Sequence, residues 1–252
     1  CYSGACLFSS MVGGRSGNRG ACTQPCRMEY DLLQDGQAIK APQGVRGPFY
    51  PLSTKDLFLL PHLAEVVAAG VRSLKIEGRM KSPQYVAAVT QIYRRALDRL
   101  AEDPQAFRVL PEEEKTAFSV FNRGLSPGYL KGDPGPDLSA ANRPSNRGFF
   151  AGRVKEYDRE DRSCRAALVE ELAEGDEIEI WTSKGGRRRV LLRELVFKNW
   201  EEKTEAVFRL AEPVQPGDRI FLVNSRRRQQ ALQRLLRDES GPGKVECRMT
   251  AR

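Results

Sequence analysis

Positions 71–83 read VRSLKIEGRMKSP, and their pattern indicates a strand followed by a helix. Apolar Leu74 and Ile76 alternate with polar residues, which is the period of a β-strand. Ser82 and Pro83 then have the residue types of a helix N-cap and of the first helical position. The stretch therefore predicts a strand that ends shortly before a new helix begins.

Helical patterns flank this predicted strand, which covers residues 71–77. Before it, Pro61 fits the first position of a helix that ends at Gly70. After it, apolar residues recur at helical spacing over 85–100. A helix–strand–helix order is the building unit of an α/β barrel or of a doubly wound sheet. We therefore expect the α/β class for the first part of the chain.

The polar side of the predicted strand supplies candidate catalytic residues. With a period of two, Lys75 and Glu77 face the same side, and Arg79 follows in the next loop. In a parallel barrel, polar residues at the C-terminal mouth of the strands hold ligands or carry out chemistry. We therefore name Lys75, Glu77 and Arg79 as candidate catalytic residues. The alternative is an ion pair at the strand end that has only a structural role.

The second half of the chain has the pattern of a small all-β domain. Six short strand patterns follow one another between residues 148 and 224. Closely spaced short strands are typical of a small closed β-barrel. The stretch before them is crowded with Gly, Pro, Asn and Ser, which favours a linker. The predicted parts are an α/β part at residues 1–120, a linker at 121–147, a β-barrel domain at 148–225, and a basic helix with a tail at 226–252.

Cysteines cluster at the start of the chain. Four of the six lie within the first 26 residues, at Cys1, Cys6, Cys22 and Cys26. Such a cluster in a chain without an export signal favours metal or redox chemistry, because four thiolates can complete a zinc site or hold an iron–sulfur cluster. We predict that Cys6, Cys22 and Cys26 converge on one metal site, with Cys1 as a further ligand. Two disulfides or plain buried thiols are the alternative.

The segment between these cysteines is a predicted loop. Positions 13–20 read GGRSGNRG, which has no periodicity, and glycines let a backbone approach a ligand closely. The guanidinium groups of Arg15 and Arg19 suit a carboxylate or a phosphate. Both are therefore candidate substrate-binding residues, and a polar surface loop is the alternative.

Charge and composition limit the function classes. The 252-residue chain has a formal charge of +8 and 40% apolar residues, enough for a folded core. Basic triplets at 187–189 and 226–228 suit a polyanion such as RNA, with solvated surface as the alternative. No apolar run approaches the ~18 residues needed to span a bilayer. We expect a cytoplasmic protein without a membrane partner and, since the chain starts at Cys1, a fragment that works with the missing N-terminal part of the same protein.

Four segments of the first 130 residues form long motif blocks. They are Gly4-x-Cys6-x-Phe8-Ser9, residues 13–27, residues 73–82, and Phe121-Asn122-Arg123-Gly124. Together they resemble the collagenase-like peptidase family U32. The β-rich part from about residue 148 resembles the β-barrel that follows the catalytic region in some members.

The resemblance implies a fold, an activity and a cofactor. The family fold contains a TIM-like barrel, so residues 1–120 are expected to be the C-terminal part of one. The family is named for proteolysis, whereas other branches take part in oxygen-independent hydroxylation of tRNA, ribosomal RNA or a quinone precursor with cysteine-held iron–sulfur clusters. Cys6, Cys22 and Cys26 match the family pattern, which implies a 4Fe-4S cluster, with zinc as the second choice. Phe58 stands where relatives often have a further cysteine.

The predicted function is that of a U32 collagenase-like peptidase, a hydrolase acting on peptides. The single histidine, His62, comes without a His-Glu-x-x-His zinc motif or a Gly-x-Ser-x-Gly elbow. The first alternative is an iron–sulfur-dependent factor that hydroxylates tRNA, rRNA or a quinone precursor without oxygen. The second alternative is a non-catalytic RNA-binding fragment whose cysteines are structural.

Overall fold

Short elements occupy the start of the chain. The computed structural model describes residues 6–41, 48–78, 81–183, 186–197 and 204–237. Helix α1 spans Phe8–Gly13, and a hairpin joins β1, Leu32–Gln34, to β2, Gln37–Ile39. The hairpin turns at Asp35 and Gly36 with φ of 51° and 79°. Two consecutive positive φ values match the right-handed twist of the paired strands, so the turn suits the hairpin.

Five further elements complete the helical part. They are β3, Asp56–Leu57; α2, Leu63–Ala68; α3, Pro83–Glu102; α4, Pro111–Val120; and β4, Leu125–Ser126, which pairs in parallel with β3. Ser82 caps α3 as predicted, because its Oγ accepts a hydrogen bond from Tyr85 N at 3.2 Å. Ile92, Ala96 and Leu100 recur every four residues along α3, and they pack into one buried cluster with residues of α2 and α4.

The strand predicted at 71–77 is wrong. Residues 71–78 connect α2 to α3 without regular structure and pair with no described strand. An alternating pattern becomes a strand only where a neighbouring strand supplies hydrogen bonds, and within the described residues none lies beside this segment. Val71 and Lys75 are consequently exposed. The TIM-like barrel fragment expected for 1–120 is not confirmed, since β3 and β4 are the parallel pair that the described residues contain.

An antiparallel sheet of seven strands occupies the second half of the described chain. Its strands are β5, Phe149–Asp158; β6, Ser163–Leu168; β7, Glu177–Trp181; β8, Arg187–Leu191; β9, Val196–Phe197; β10, Glu205–Arg209; and β11, Arg219–Asn224. Their order across the sheet is β8-β7-β11-β5-β6-β10-β9. Alternate side chains such as Ile178, Ile180 and Ile220 are fully buried in one apolar core.

The all-β architecture predicted for this part is confirmed, but its closure into a barrel is not, because within the described residues the sheet is curled and open. The single strand predicted over 189–197 is split, and its halves lie at opposite edges of the sheet: β8 pairs with β7, and β9 pairs with β10. Between them, Glu194 takes a left-handed φ of 54°, which interrupts an extended strand. Among the described residues no ladder joins β8 to β9, so the barrel does not close.

The segment predicted as a linker, 121–147, packs against both halves of the chain. It contains β4, and its Asn122 and Arg143 are buried. Arg143 donates two hydrogen bonds to Glu179 of β7, at 2.5 and 2.8 Å. Helix α5, Arg226–Arg237, follows β11 and packs against α3. Within the described ranges, none of the helices is long and apolar enough to cross a membrane.

Candidate functional site

The turn after α4 positions the first cation of the candidate site. Asn122 is buried there, and its Nδ2 donates to Phe118 O at 2.6 Å. Its Oδ1 accepts a hydrogen bond from Gly124 N at 3.1 Å. Gly124 has a φ of 93°, which a residue with a side chain rarely adopts. The turn is thereby fixed, and Arg123 at its centre reaches β3.

Arg123 and Asp56 are brought together by the pairing of β3 with β4. Asp56 N donates to Gly124 O at 2.9 Å. The Asp56 carboxylate then accepts two hydrogen bonds from Arg123, from N at 2.8 Å and from Nη1 at 3.0 Å. The Arg123 and Asp56 side chains are only 12% and 25% exposed, so this ion pair is largely removed from water.

Arg27 approaches the same place from the N-terminal segment. It ends a short 3₁₀ helix, Pro25–Arg27, and its Nη1 donates to Ser53 Oγ and to Thr54 O, both at 2.7 Å. The preceding Gln24 has a left-handed φ of 55°, an unfavourable value for a residue with a long side chain. Gln24 Oε1 accepts a 3.5 Å hydrogen bond from Arg123. The strained residue therefore lies between the two arginines.

Lys81 supplies an amine that is shielded from water. It lies in the turn before α3, where its N donates to Gly78 O at 3.0 Å. Its Nζ is 2.8 Å from the ring centre of Phe121 and 5.3 Å from that of Tyr85. Within the described residues, this buried Nζ has no hydrogen-bond partner. The electron-rich faces of the two rings are therefore the groups that contact its charge.

The electrostatics of the site make Lys81 a weak base. Its pKa is lowered to about 7, first by burial and then by the charge of Arg123, while Asp56 acts in the opposite direction. The pKa of Arg27 is also lowered, again by burial and then by Arg123. Guanidinium groups nevertheless remain charged in proteins. Near neutral pH, Lys81 therefore changes between ammonium and amine, whereas the two arginines do not titrate.

We call Arg27, Asp56, Lys81, Arg123 and Phe121 the Lys81 site. It contains three basic side chains and one carboxylate, so it is positively charged, and guanidinium groups suit carboxylate or phosphate oxygens. An amine with a pKa near 7 can accept or donate a proton at neutral pH. A separate cleft of about 400 Å³ lies beside the start of α3, between Ser82 and Tyr85 on one side and residues of α5 on the other, and none of the five residues of the Lys81 site lines it. The arrangement can therefore bind an anion and transfer a proton at Lys81 Nζ.

The described N-terminal cysteines lie on one packed unit that adjoins the Lys81 site. Cys6 precedes α1, and α1 packs against the 3₁₀ helix that contains Cys26. Cys22 Sγ accepts a hydrogen bond from Gln24 N at 3.3 Å. All three cysteines are half-buried free thiols. Disulfides, one of the alternatives drawn from the sequence, are thus not formed by these three residues.

Buried Ser9 holds this unit together. Its Oγ donates to Arg15 O at 2.6 Å and accepts a hydrogen bond from Thr23 N at 2.9 Å. Both ends of the glycine-rich loop are consequently tied to α1. The side chains of Arg15 and Arg19 are left exposed on the loop.

The donor set and the geometry of the cysteines give different answers about a metal. Three thiols, one of them accepting an amide hydrogen bond, have the chemistry of a thiolate site for zinc or an iron–sulfur cluster. Within the described residues, however, no three Cys, His, Asp or Glu side chains are arranged so that they could hold a metal ion. Cys1 lies outside the described residues. The donor chemistry therefore fits a cluster, while the described residues alone do not contain a ready-made site for one.

The remaining predicted residues are placed as follows. Lys75 is exposed, and Glu77 is half-buried. The pKa of Tyr85 is raised, first by burial and to a small extent by the charge of Glu77, so Glu77 lies within electrostatic range of Tyr85. Arg79 lies outside the described residues. His62 Nδ1 is 3.3 Å from Glu65 Oε1 one turn further on, and no Ser, Thr or Cys hydroxyl or thiol of the described residues bonds to it.

Sequence reasoning missed Lys81, Arg27, Arg123 and Asp56 as site residues. Arg27, Lys81 and Arg123 lie in three different segments that carry the family resemblance. A basic residue within each segment was the available signal. Their convergence was not predictable from local patterns, because it depends on contacts such as that between Arg123 and Asp56, 67 residues apart.

Comparisons with known proteins agree with these motifs. The family model described as peptidase family U32 matches residues 1–140. The tRNA hydroxylation protein P1 of Bacillus subtilis is 34% identical over 183 residues, which cover 71% of this chain and 43% of that protein. The 23S rRNA 5-hydroxycytidine C2501 synthase of Escherichia coli is 34% identical over 191 residues, 71% of this chain and 27% of that protein.

Other relatives carry protease names. A Porphyromonas gingivalis protein named collagenase is 27% identical over 235 residues, 89% of this chain and 63% of that protein. Among solved structures, the C-terminal domain of a Geobacillus thermoleovorans protein described as a U32 peptidase aligns with a TM-score of 0.26 and 17% identity, over 29% of this chain and 96% of that domain. The chain spans less than half the length of the two RNA-hydroxylation relatives. Since the family model matches more than half of its residues, the chain belongs to peptidase family U32.

Proposed function

We propose that the protein takes part in hydroxylating a base of tRNA or ribosomal RNA. Support comes from the two relatives that are 34% identical and are named for tRNA hydroxylation and for 5-hydroxycytidine synthesis in 23S rRNA. This proposal reverses the order of the functions predicted from the sequence, in which peptide hydrolysis came first. The observation that carries it is the Lys81 site, which suits an anionic substrate.

In this proposal, the residues of the Lys81 site have separate roles. Arg27 and Arg123 remain charged and bind the oxygen atoms of an anionic group of the substrate or of a co-substrate. Lys81 adds a third positive charge when it is protonated and can release that proton near pH 7. Asp56 orients Arg123 through two hydrogen bonds.

We also propose that Cys6, Cys22 and Cys26, together with Cys1, hold a 4Fe-4S cluster, with zinc as the second choice. A bound cluster supplies electron transfer. The support is the presence of three free thiols on one packed unit and the amide donor at Cys22. Among the described residues these thiols are not grouped as a metal site, and the fourth proposed ligand, Cys1, lies outside those residues.

The finer architecture belongs to the same proposal. Residues 1–120 form the C-terminal part of a TIM-like barrel that is completed by preceding residues of the same protein. The support is the parallel pairing of β3 with β4, which lies just beyond residue 120, because parallel strands are the building units of such barrels. An RNA substrate places the protein in the cytoplasm.

Peptide hydrolysis is the second candidate function. The relative named collagenase favours it, since its match covers 89% of this chain. In the described residues, His62 pairs with Glu65 and contacts no nucleophile, which removes the usual means of activating a serine or cysteine. We therefore rank hydrolysis below RNA hydroxylation.

A paired assay separates the two functions. A bacterial strain lacking its own U32 RNA-hydroxylation proteins is grown with and without the gene for this protein. Its tRNA and rRNA are digested to nucleosides for mass spectrometry, and the purified protein is incubated with gelatin. We expect a hydroxylated nucleoside that depends on the gene, and intact gelatin. Gelatin cleavage without any hydroxylated nucleoside would overturn the proposal in favour of hydrolysis.

A further inference from the structure

The outer face of the sheet carries a regular set of aromatic and basic side chains. Alternate residues of each strand point to opposite faces. Ile178 and Ile180 of β7 are buried in the core, and Trp181 therefore lies on the outer face, where it is half-buried. On β11, Ile220 is buried in the same way and Phe221 lies on the outer face.

Strand register brings these residues together in two rows. In the first row, Trp181 is paired with Arg187 of β8 on one side and with Arg219 of β11 on the other, and Arg219 is paired with Arg153 of β5. In the second row, Phe221 is paired with Phe150 of β5. We call these six residues the arginine–aromatic face.

The rings of this face are in contact with one another and with the arginines. The Trp181 and Phe221 ring centres are 4.3 Å apart, and those of Phe150 and Phe221 are 5.6 Å apart. The guanidinium carbons of Arg187 and Arg219 lie 5.1 and 5.0 Å from the Trp181 ring. Arg153, Arg187 and Arg219 are exposed. The face therefore combines solvent-accessible cations with partly accessible ring surfaces.

Its positive charge is not cancelled by the acidic residues of β7. The Glu179 carboxylate accepts two hydrogen bonds from buried Arg143 and a 2.9 Å hydrogen bond from Trp181 Nε1. Glu177 lies 3.5 Å from Arg189 in an ion pair. Half-buried Arg147 adds a further cation nearby, since its pKa is lowered by burial and then by Arg143, Arg187 and Arg219. The local field is thus positive.

This combination matches single-stranded nucleic acid. Exposed arginines bind phosphates with release of counterions, and aromatic rings stack on bases that are not hidden in a duplex. An acidic protein would use the cations and leave the rings without a function. We propose that the arginine–aromatic face binds single-stranded RNA through phosphate contacts of Arg187 and Arg219 and base stacking at Trp181. The identity of the ligand as RNA rests on the proposed hydroxylation of RNA.

Binding is tested with the whole chain and a single-stranded ten-residue oligouridine. Arg187→Gln with Arg219→Gln should weaken binding about ten-fold and lower the slope of log affinity against log salt by about 1.4, because each lost phosphate contact removes ~0.7. The matched control is Arg159→Gln with Arg209→Gln, which removes two exposed charges at the β5–β6 turn and on β10. Equal loss in both double variants would overturn the proposal, since it would show charge attraction without a defined face.

Trp181 provides a second, independent readout. The chain has two tryptophans, so the Trp200→Phe variant has Trp181 as its single tryptophan fluorophore. Oligouridine should quench its fluorescence, whereas polyglutamate of equal charge and a duplex of equal length should not. Trp181→Ala should weaken oligouridine binding at least about five-fold. Quenching by polyglutamate to the same extent would assign the face to an acidic protein. If none of the three probes binds, the proposal that this face is a binding surface is overturned.

The outcome is separable from that of the proposed function. Oligouridine binding requires no hydroxylation, and a hydroxylated nucleoside can form even if this face does not bind RNA. Weak binding with normal hydroxylation would overturn the face alone. Specific binding in a protein that never hydroxylates RNA would overturn the proposed function alone.

Discussion

Lys81 is the residue at which burial and charge oppose each other most directly. Its ammonium group contacts aromatic rings and is flanked by two arginines, and the nearby carboxylate of Asp56 is already hydrogen-bonded to Arg123. A charge placed in this way destabilises the folded protein. Residues with strongly shifted pKa values are typical of functional sites, where a local loss of stability is tolerated.

The effect of Lys81 on stability should depend on pH. Its pKa is about 7 in the folded protein and 10.5 for an unperturbed lysine, so the unfolded chain binds more protons between these pH values, and stability rises with pH in that window. Lys81→Met removes the buried charge. It should therefore raise Tm at pH 6, by a few degrees if the free energy of unfolding increases by ~1 kcal/mol. This increase in stability should become smaller as the pH approaches 10.

Thermal unfolding of both proteins at pH 6, 7.5 and 9.5 measures this effect. The control is Lys75→Met, which removes an exposed lysine six positions earlier. A lower Tm for Lys81→Met at pH 6 would mean that the ammonium stabilises the fold, contrary to the account given for its surroundings.

At the scale of elements, the contact between segment 121–147 and β7 rests on a buried ion pair. The side chains of Arg143 and Glu179 are 2% and 8% exposed, so both charges are buried and each compensates the other. Removing one partner of such a pair costs ~3–5 kcal/mol, because the second charge is left without compensation. Arg143→Met should therefore destabilise the protein by about 3 kcal/mol or more in urea unfolding.

Two further variants test the cause of that loss. Arg143→Met with Glu179→Leu should recover part of the stability, since no buried charge then remains unpaired. Arg94→Met breaks the exposed pair with Asp98 and should cost less than about 1 kcal/mol. If Arg143→Met costs no more than Arg94→Met, the segment is not anchored by this pair.

Local patterns predicted some elements well and could not predict others. Ser82 and Pro83 gave the start of α3, because capping depends on neighbouring residues alone. The strand predicted at 71–77 failed because alternation does not reveal whether a partner strand lies alongside. The Lys81 site was missed for the same reason, as it joins residues from four separate parts of the chain.

At the scale of the whole molecule, the helical part and the sheet are in direct contact. Lys115 of α4 forms a 2.8 Å ion pair with Glu170, which follows β6. Phe118 of α4 packs edge-on against Phe149 of β5, with ring centres 6.1 Å apart. Helix α5 also packs against α3. The halves that carry the Lys81 site and the arginine–aromatic face are thus joined by polar and apolar contacts.

The cysteine unit gives a prediction for the whole protein. After anaerobic purification it should contain about four iron atoms and four acid-labile sulfides per chain, as expected for a 4Fe-4S cluster. Cys22→Ser should lose most of both, because a hydroxyl is a poor ligand for iron–sulfur clusters. Cys164→Ser is the control, since Cys164 is buried in the core of the sheet. Zinc without sulfide would indicate the second-choice metal, and a metal-free wild-type protein would contradict the cluster.

The central claim is that RNA hydroxylation depends on the Lys81 site. Its most direct test is the fraction of hydroxylated nucleoside, measured by mass spectrometry, in RNA from cells producing equal amounts of wild-type, Lys81→Met, Lys75→Met or Lys40→Met protein. We predict at least a ten-fold loss for Lys81→Met, since losing a proton-transfer group costs ~10²-fold or more when that group acts in the chemical step. No loss is expected for Lys40→Met at the exposed hairpin. Full hydroxylation by Lys81→Met, with loss in Lys75→Met, would contradict the claim and assign the site to segment 71–78.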